Sequence, residues 1–462
     1  MLFEKRDFPI TGQTLKGKKA KLDVDCGPSS QSSLSIPRFV ALNPADCDLG
    51  NFFRELIHLT HCLCPMRLGF VAWRNFEIGF NGLLGSALHE KGFAYCWSGA
   101  RVNAGIKGGK YCYGCKIISE QPVIMEDTPP AERHECRIGV SRGDNPVGNL
   151  GESLQSFGFG GNGKFSSAGK FCNYGESFGV GDTILCCIDL ESKPASIGFF
   201  KNGKWMGMAM QFEVVDSPNK QLVWESAFFP HVLLKNVVVN FQFSLEDGLE
   251  CVEGYKPWSC AIDDGKALPG PTFSEVHDCE VIMMVGLPAS GKTTWAENWA
   301  QEHPEKRYIV LGRKLIWDKM KVPGLLYDYG ERFERLMMES ATEMFNTLLT
   351  MASKLPRNLI LDQTNVNKNA LKRKLKPFLD YKKIAVVMFP ALEELKCRAV
   401  KRVRVMGEEQ VTGEEVNKML AKFVLPMSKD MHEAEEYFDE VVFPELGRAE
   451  SKRYLKTMKA TS

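Results

Sequence analysis

The chain has 462 residues, enough for about two or three domains at roughly 100–200 residues each. Hydrophobic residues make up 44% and charged residues 25%, which excludes a wholly disordered chain, a collagen and a coiled coil. With 58 Lys and Arg against 57 Asp and Glu the net charge is +1, which excludes a uniformly basic nucleic-acid coat but not a local basic patch.

Fifteen cysteines are an odd number for a fully paired secreted framework. The first residues, MLFEKRDFPI, lack the apolar core of a signal peptide. No stretch reaches the ~20 apolar residues of a membrane helix. Free, mostly buried thiols in a reducing compartment are expected. Cys112 and Cys115 form a CxxC with no second pair to complete a zinc site, and they read as strand residues. Cys186 and Cys187 are adjacent, so on a strand they face opposite ways.

Residues 1–39 are rich in Lys, Ser and Pro and read as a disordered leader. Its Lys16, Lys18, Lys19 and Lys21 form a solvated basic cluster, or a weak nuclear signal. Residues 40–248 are Gly-rich and aromatic, with short β-type runs such as KYCYGCKII, DTILCCIDL and HVLLKNVVVNFQF. Turn signals separate them: Gly108-Gly109, Gly160-Gly161, and Asn202-Gly203, the last a strong hairpin mark. An antiparallel β-sandwich is predicted. Residues 50–76 show neither strand alternation nor a helix period and predict an irregular insert, an unusual loop or a gene-model artefact. Residues 249–278, with Pro257, Pro269 and Pro271, read as a linker.

Gly179-Val180-Gly181-Asp182 opens an apolar strand, and a hairpin carrying Lys201-Asn202-Gly203 precedes an exit strand. This stretch resembles the SPRY domain over roughly residues 40–245. The resemblance implies a binding module for a protein partner, without catalytic machinery.

Residues 279–445 change character. CEVIMMVGLPASGKTTW is a buried strand, a Gly-bounded loop, then a helix. Gly286, Leu287, Pro288, Ala289, Ser290, Gly291, Lys292 and Thr293, followed by Thr294, match GxxxxGK[ST] in full and in the context its mechanism needs. Loop N–H groups and the helix N-terminus attract phosphate. Lys292 supplies charge to the outer phosphates, and the Thr293 hydroxyl is suited to Mg²⁺. ATP with Mg²⁺ is the expected ligand. A second apolar run, RNLILDQTNV, ends in Asp362 at the C-terminal edge of a parallel strand, where α/β sheets bind ligands. Asp362 is a candidate for Mg²⁺ or for an acceptor group. KIAVVMFP gives a third strand, so an α/β three-layer P-loop domain with a parallel sheet is predicted.

Arg398 and Arg402 are four apart on one helix face, placed to close over phosphates. Residues 366–404 hold twelve Lys and Arg against three Asp and Glu. That stripe, with Lys372, Arg373 and Lys374 as the named contacts, suits a nucleic-acid backbone. Residues 446–462 read as a basic tail.

The second half resembles the polynucleotide-kinase-like P-loop group through Gly286–Thr294, the Asp362-Gln363-Thr364-Asn365 strand end and the Arg398/Arg402 pair. A SPRY domain joined to this P-loop, with LGRKLIWDKM and NLILDQTNV following, resembles heterogeneous nuclear ribonucleoprotein U and its U-like relatives. That resemblance implies nuclear localisation, association with RNA, and a place in pre-mRNA processing or chromatin organisation. The SAP and Arg-Gly-Gly segments typical of those relatives do not occur in this sequence. The resemblance also implies an Asp shortly after the second strand as base in active kinases. Residues Ile309–Lys314 contain none, and the nearest carboxylate is Asp318, about one and a half helical turns on. Nucleotide binding without kinase activity is the first expectation. An active 5′-kinase or small phosphotransferase using Asp362 or Asp318 is the alternative, and an adaptor with a vestigial loop is the third reading.

Overall fold

The computed structural model describes residues 36–48, 76–79, 81–126, 128–215, 222–320, 331–406, 413–431 and 438–461. For 318–319, 331–337, 402–406 and 461 it describes the backbone alone. The expected leader 1–39 therefore lies outside the described residues except for 36–39, and so does the insert 50–76 except for Phe76. Phe76 opens the strand Phe76–Ile78 and is fully buried.

The first half is a sandwich of two antiparallel sheets. One centres on Phe228–Lys235, between Ser98–Val102 and Glu135–Arg142. The other centres on Lys110–Glu120, between Thr183–Asp189 and Val237–Gln242. Phe157, Phe159, Phe199, Phe228 and Phe241 from their inner faces form one aromatic core. Cys186 belongs to that core, while Cys187 joins a smaller cluster with Cys112, Leu185 and Leu249. The period of two thus splits each cysteine pair between faces, since Cys115 also lies in the main core. Asn202 (φ 48°) and Gly203 (φ 77°) turn the hairpin from Ala195–Lys201 into Lys204–Phe212, as the Asn-Gly signal predicts.

The stretch 249–278 is more than a linker. Trp258 is fully buried, its indole N–H donates to the Ala104 carbonyl at 3.0 Å, and Ala267–Pro269 pairs with Ala104–Ile106. Proline punctuates this segment without freeing it, because an apolar indole has more to gain in the sandwich core than in water.

The second half is a parallel sheet. Its strands are β1 Glu280–Val285, β2 Ile309–Leu311, β3 Leu359–Leu361, β4 Lys382–Val387 and β5 Glu440–Val442. Their order is β2-β3-β1-β4-β5. Its helices are α1 Lys292–Glu302, α2 Arg313–Met320, α3 Glu331–Ala352, α4 Lys368–Leu375, α5 Leu392–Met406, α6 Gly413–Lys422 and α7 Arg448–Thr461. Val281, Met283 and Val285 pack into one core, Ile282 and Met284 into another. Both faces of β1 are covered, which makes three layers and explains why β1 reads as a continuous apolar run. The expected tail at 446–462 is largely α7, which buries Leu455 and Ser451. Its basic residues are the outer side of an amphipathic helix.

The sandwich and the P-loop domain share packing. Phe93, from the short helix Lys91–Tyr95, lies in the larger P-loop-domain core with Met344 and Met320. Asp46 of the sandwich accepts Arg101 through two bonds (2.7 and 3.0 Å) and Arg307 through a third (2.8 Å). Arg357 donates to the Pro44 and Cys47 carbonyls at 2.7 and 3.1 Å. Arg307 and Arg357 precede β2 and β3, so these contacts hold the N-terminal ends of the strands. The opposite, C-terminal ends carry the candidate site.

Candidate nucleotide-binding site

Six buried residues of β1 fix where the loop Gly286–Gly291 begins. Gly286 has no room for a side chain: a Cβ would stand 2.5 Å from the Met388 carbonyl oxygen and 2.7 Å from Ser290 Oγ. Its N–H donates to the Thr364 carbonyl at 2.9 Å, tying the loop to the end of β3. Ala289 (φ 61°) and Gly291 (φ 97°) are both left-handed. Such loop residues belong to the nest geometry that turns N–H groups toward an anion. Gly291 also caps α1, an eleven-residue helix whose N-terminal dipole adds to the attraction.

Lys292 is 8% exposed, and its Nζ donates to the Leu287 carbonyl at 2.6 Å and to Ser290 Oγ at 3.4 Å. The ammonium therefore lies within the span of the loop. Thr293 Oγ1 donates to Asp362 Oδ2 at 2.7 Å. The sheet order produces this contact: β3 is the direct neighbour of β1, with Met283 opposite Leu361, so the first residue past β3 stands beside the loop. A hydroxyl and a carboxylate oxygen at this spacing fit Mg²⁺, which takes one or two protein oxygens and completes its shell with phosphate and water. Among the described residues no group of three or more His, Cys, Asp or Glu is placed to hold a metal by itself.

Asn365 is left-handed (φ 48°) and 4% exposed. Its Nδ2 donates to the Met284 carbonyl at 2.8 Å, and its Oδ1 accepts Lys374 Nζ at 2.6 Å. Lys374 also donates to Gln363 Oε1 and lies 5.5 Å from the Phe345 ring centre. Burial pulls its pKa down to about 8, and the charges of Arg313 and Arg373 add to the fall. This corrects the expectation of Lys372, Arg373 and Lys374 as one nucleic-acid contact. Consecutive helical residues point about 100° apart. Arg373 is exposed and Lys372 half-buried, while Lys374 turns inward and clamps the turn that carries Asp362.

Arg398 reaches the loop from α5, with Nη1 2.9 Å from the Ser290 carbonyl oxygen. Arg402 lies one turn further along α5, and its side chain is outside the described residues. Arg398 is also bonded to Glu394 and Glu445. The first is four residues away and legible as a helical pair. Glu445 is not legible: no local pattern links residues 47 apart.

Gly312 follows β2, where the resemblance to active kinases implies a base nearby. A Cβ at Gly312 would stand 2.7 Å from the Asp362 carbonyl oxygen, so no side chain is accommodated there. The side chain of Asp318, on α2, lies outside the described residues.

The SPRY domain family matches residues 123–246, and the AAA domain family matches residues 281–426. Heterogeneous nuclear ribonucleoprotein U-like protein 2 of Mus musculus is 33% identical over 388 residues, covering 82% of this chain and 49% of that protein. Its Homo sapiens counterpart matches at the same identity and coverage. This chain is similar to the heterogeneous nuclear ribonucleoprotein U-like proteins. It spans about half the length of these relatives. The ATP-dependent RNA helicase Ddx1 of Drosophila melanogaster is 34% identical over 152 residues, 33% of this chain and 18% of that protein. The pairing of a SPRY sandwich with a P-loop domain, expected from the motifs, is shown by the two family matches.

Proposed function

We propose that this chain is a nuclear, RNA-associated protein whose P-loop domain binds Mg-ATP and whose SPRY domain binds a protein partner. The observation that carries the nucleotide reading is the Thr293 Oγ1 to Asp362 Oδ2 bond of 2.7 Å, beside a lysine held within the loop. Thr293 and Asp362 would hold Mg²⁺, which would neutralise phosphate charge. Gly286 and Gly291 let the backbone approach the phosphates, Lys292 binds the outer ones, and Arg398 stands at the loop mouth. The lack of a carboxylate over residues 309–314 supports nucleotide binding without transfer to a hydroxyl.

RNA association is supported by the likeness to a nuclear ribonucleoprotein U-like protein and to an RNA helicase, and by the exposed Arg373 and Lys376 on or just beyond α4. A role in pre-mRNA processing or chromatin organisation is proposed from the resemblance of the sequence to that family. No described helix is long and apolar enough to cross a membrane. The test is ultraviolet crosslinking of the purified chain to labelled ATP and to labelled RNA, with Lys292→Ala alongside. Loss of the ATP crosslink with retention of the RNA crosslink is expected. An ATP crosslink that survives Lys292→Ala contradicts the nucleotide site. RNA affinity that does not weaken with salt removes the RNA claim.

A further inference from the structure

Arg398 is held by three partners at the mouth of the phosphate loop. Its Nη1 donates to the Ser290 carbonyl at 2.9 Å and to Glu445 Oε1 at 2.8 Å, and its Nε donates to Glu394 Oε1 at 2.7 Å. Burial works against its charge, but the bonds to Glu445 and Glu394 outweigh that and hold its pKa above the ordinary guanidinium value. Glu394 is a neighbour on the same helix face, a kind of pair that contributes little. Glu445 comes from the turn between β5 and α7.

That turn is built against the loop. The Leu446 N–H donates to the Phe389 carbonyl at 3.3 Å, and Ser451 Oγ donates to the Leu446 carbonyl at 3.0 Å. Phe389 follows Met388, whose carbonyl oxygen is the atom that forbids a side chain at Gly286. Glu445 is exposed as a residue, while its side chain, lying against Arg398, is 26% exposed. Its carboxylate is thus fixed one guanidinium away from the loop.

A carboxylate in that place has two effects on an incoming polyphosphate. Arg398 must leave a charge-assisted bond before it can grip phosphate. The carboxylate also opposes negative charge arriving nearby. We infer that Glu445 is a positioning residue that parks Arg398 on the loop and holds down its affinity for polyphosphates. Breaking the Arg398–Glu445 pair is then the step by which Arg398 is transferred to the nucleotide. This rests on the nucleotide reading above. Because the opposition is to charge, it scales with phosphate number and leaves the nucleoside untouched.

The test is calorimetric titration of the full chain with Mg-ATP, Mg-ADP and adenosine, for wild type, Glu445→Gln, Arg398→Ala and the double variant. Glutamine keeps the size of the side chain and removes its charge. Glu445→Gln is expected to tighten ATP roughly tenfold, to tighten ADP less and to leave adenosine unchanged. Most of the gain is expected to vanish in the Arg398→Ala background. A merely structural role for Glu445 would weaken binding instead. If wild type binds ATP and Glu445→Gln leaves it unchanged or weaker, the inference is overturned alone. If wild type binds no ATP, the nucleotide reading falls and takes the inference with it.

Discussion

Asp46 in the sandwich and Asp362 in the P-loop domain both stand at strand ends, and both accept bonds across long stretches of sequence. Asp46 is 1% exposed and takes three guanidinium bonds from Arg101 and Arg307. Burial alone would raise its pKa, but the two arginines outweigh it and hold the carboxyl below its ordinary value. Asp362 is half-buried beside the phosphate loop and accepts the Thr293 hydroxyl. The difference separates cement from a site. A carboxylate enclosed by its own protein's cations fixes two domains together, and one that reaches solvent beside a lysine-bearing loop can serve a ligand.

The largest effect should come from breaking the enclosed cluster. Asp46→Ala leaves Arg101 and Arg307 without their counter-charge, and a loss of about 3–5 kcal/mol in urea unfolding is expected. Asp362→Ala should cost less stability and instead remove the Mg²⁺ dependence of ATP binding. Equal stability losses in the two variants would break the comparison.

His231 offers a pH test of the sandwich. It is fully buried, with Nδ1 2.7 Å from Ser141 Oγ and Nε2 2.7 Å from the Val147 carbonyl oxygen. Burial first, then the charge of Arg101, lowers its pKa from 6.5 to about 3. Between those values the unfolded ring carries a proton that the folded ring refuses. The His231 contribution is therefore present above pH 6.5 and is lost as pH falls toward 3, at up to about 1.4 kcal/mol per pH unit. Unfolding measured across that window should show the slope, and His231→Gln should lose that share of it.

The smallest effects sharpen the contrast most. Gly203 (φ 77°) and Gly291 (φ 97°) are both left-handed, one in the sandwich hairpin and one at the start of α1. Alanine at either should cost roughly 1–2 kcal/mol of backbone strain. ATP affinity should fall for Gly291→Ala and stay unchanged for Gly203→Ala, as read by calorimetry.

The strand, loop and helix around Gly286–Thr293 were legible because their pattern lies in a few consecutive residues. The Asn202-Gly203 hairpin was legible for the same local reason. What escaped was held by distance: Asp46 meets Arg307 across 261 positions, and Arg398 meets Glu445 across 47. Lys374 was misjudged because a charge count cannot say which of three consecutive helical cations turns inward. The 249–278 segment was misjudged because its prolines and glycines outweighed one tryptophan that the core needed. The tail became a helix because Leu455, among basic neighbours, had a core to join.

The central claim is that the Gly286–Thr293 loop binds nucleotide through Lys292. Calorimetry of the full chain with Mg-ATP, for wild type and Lys292→Ala, tests it most directly. One site is expected in wild type, with at least a tenfold loss of affinity, about 1.4 kcal/mol, in the variant. No heat of binding in wild type, or equal affinity in both proteins, would contradict it.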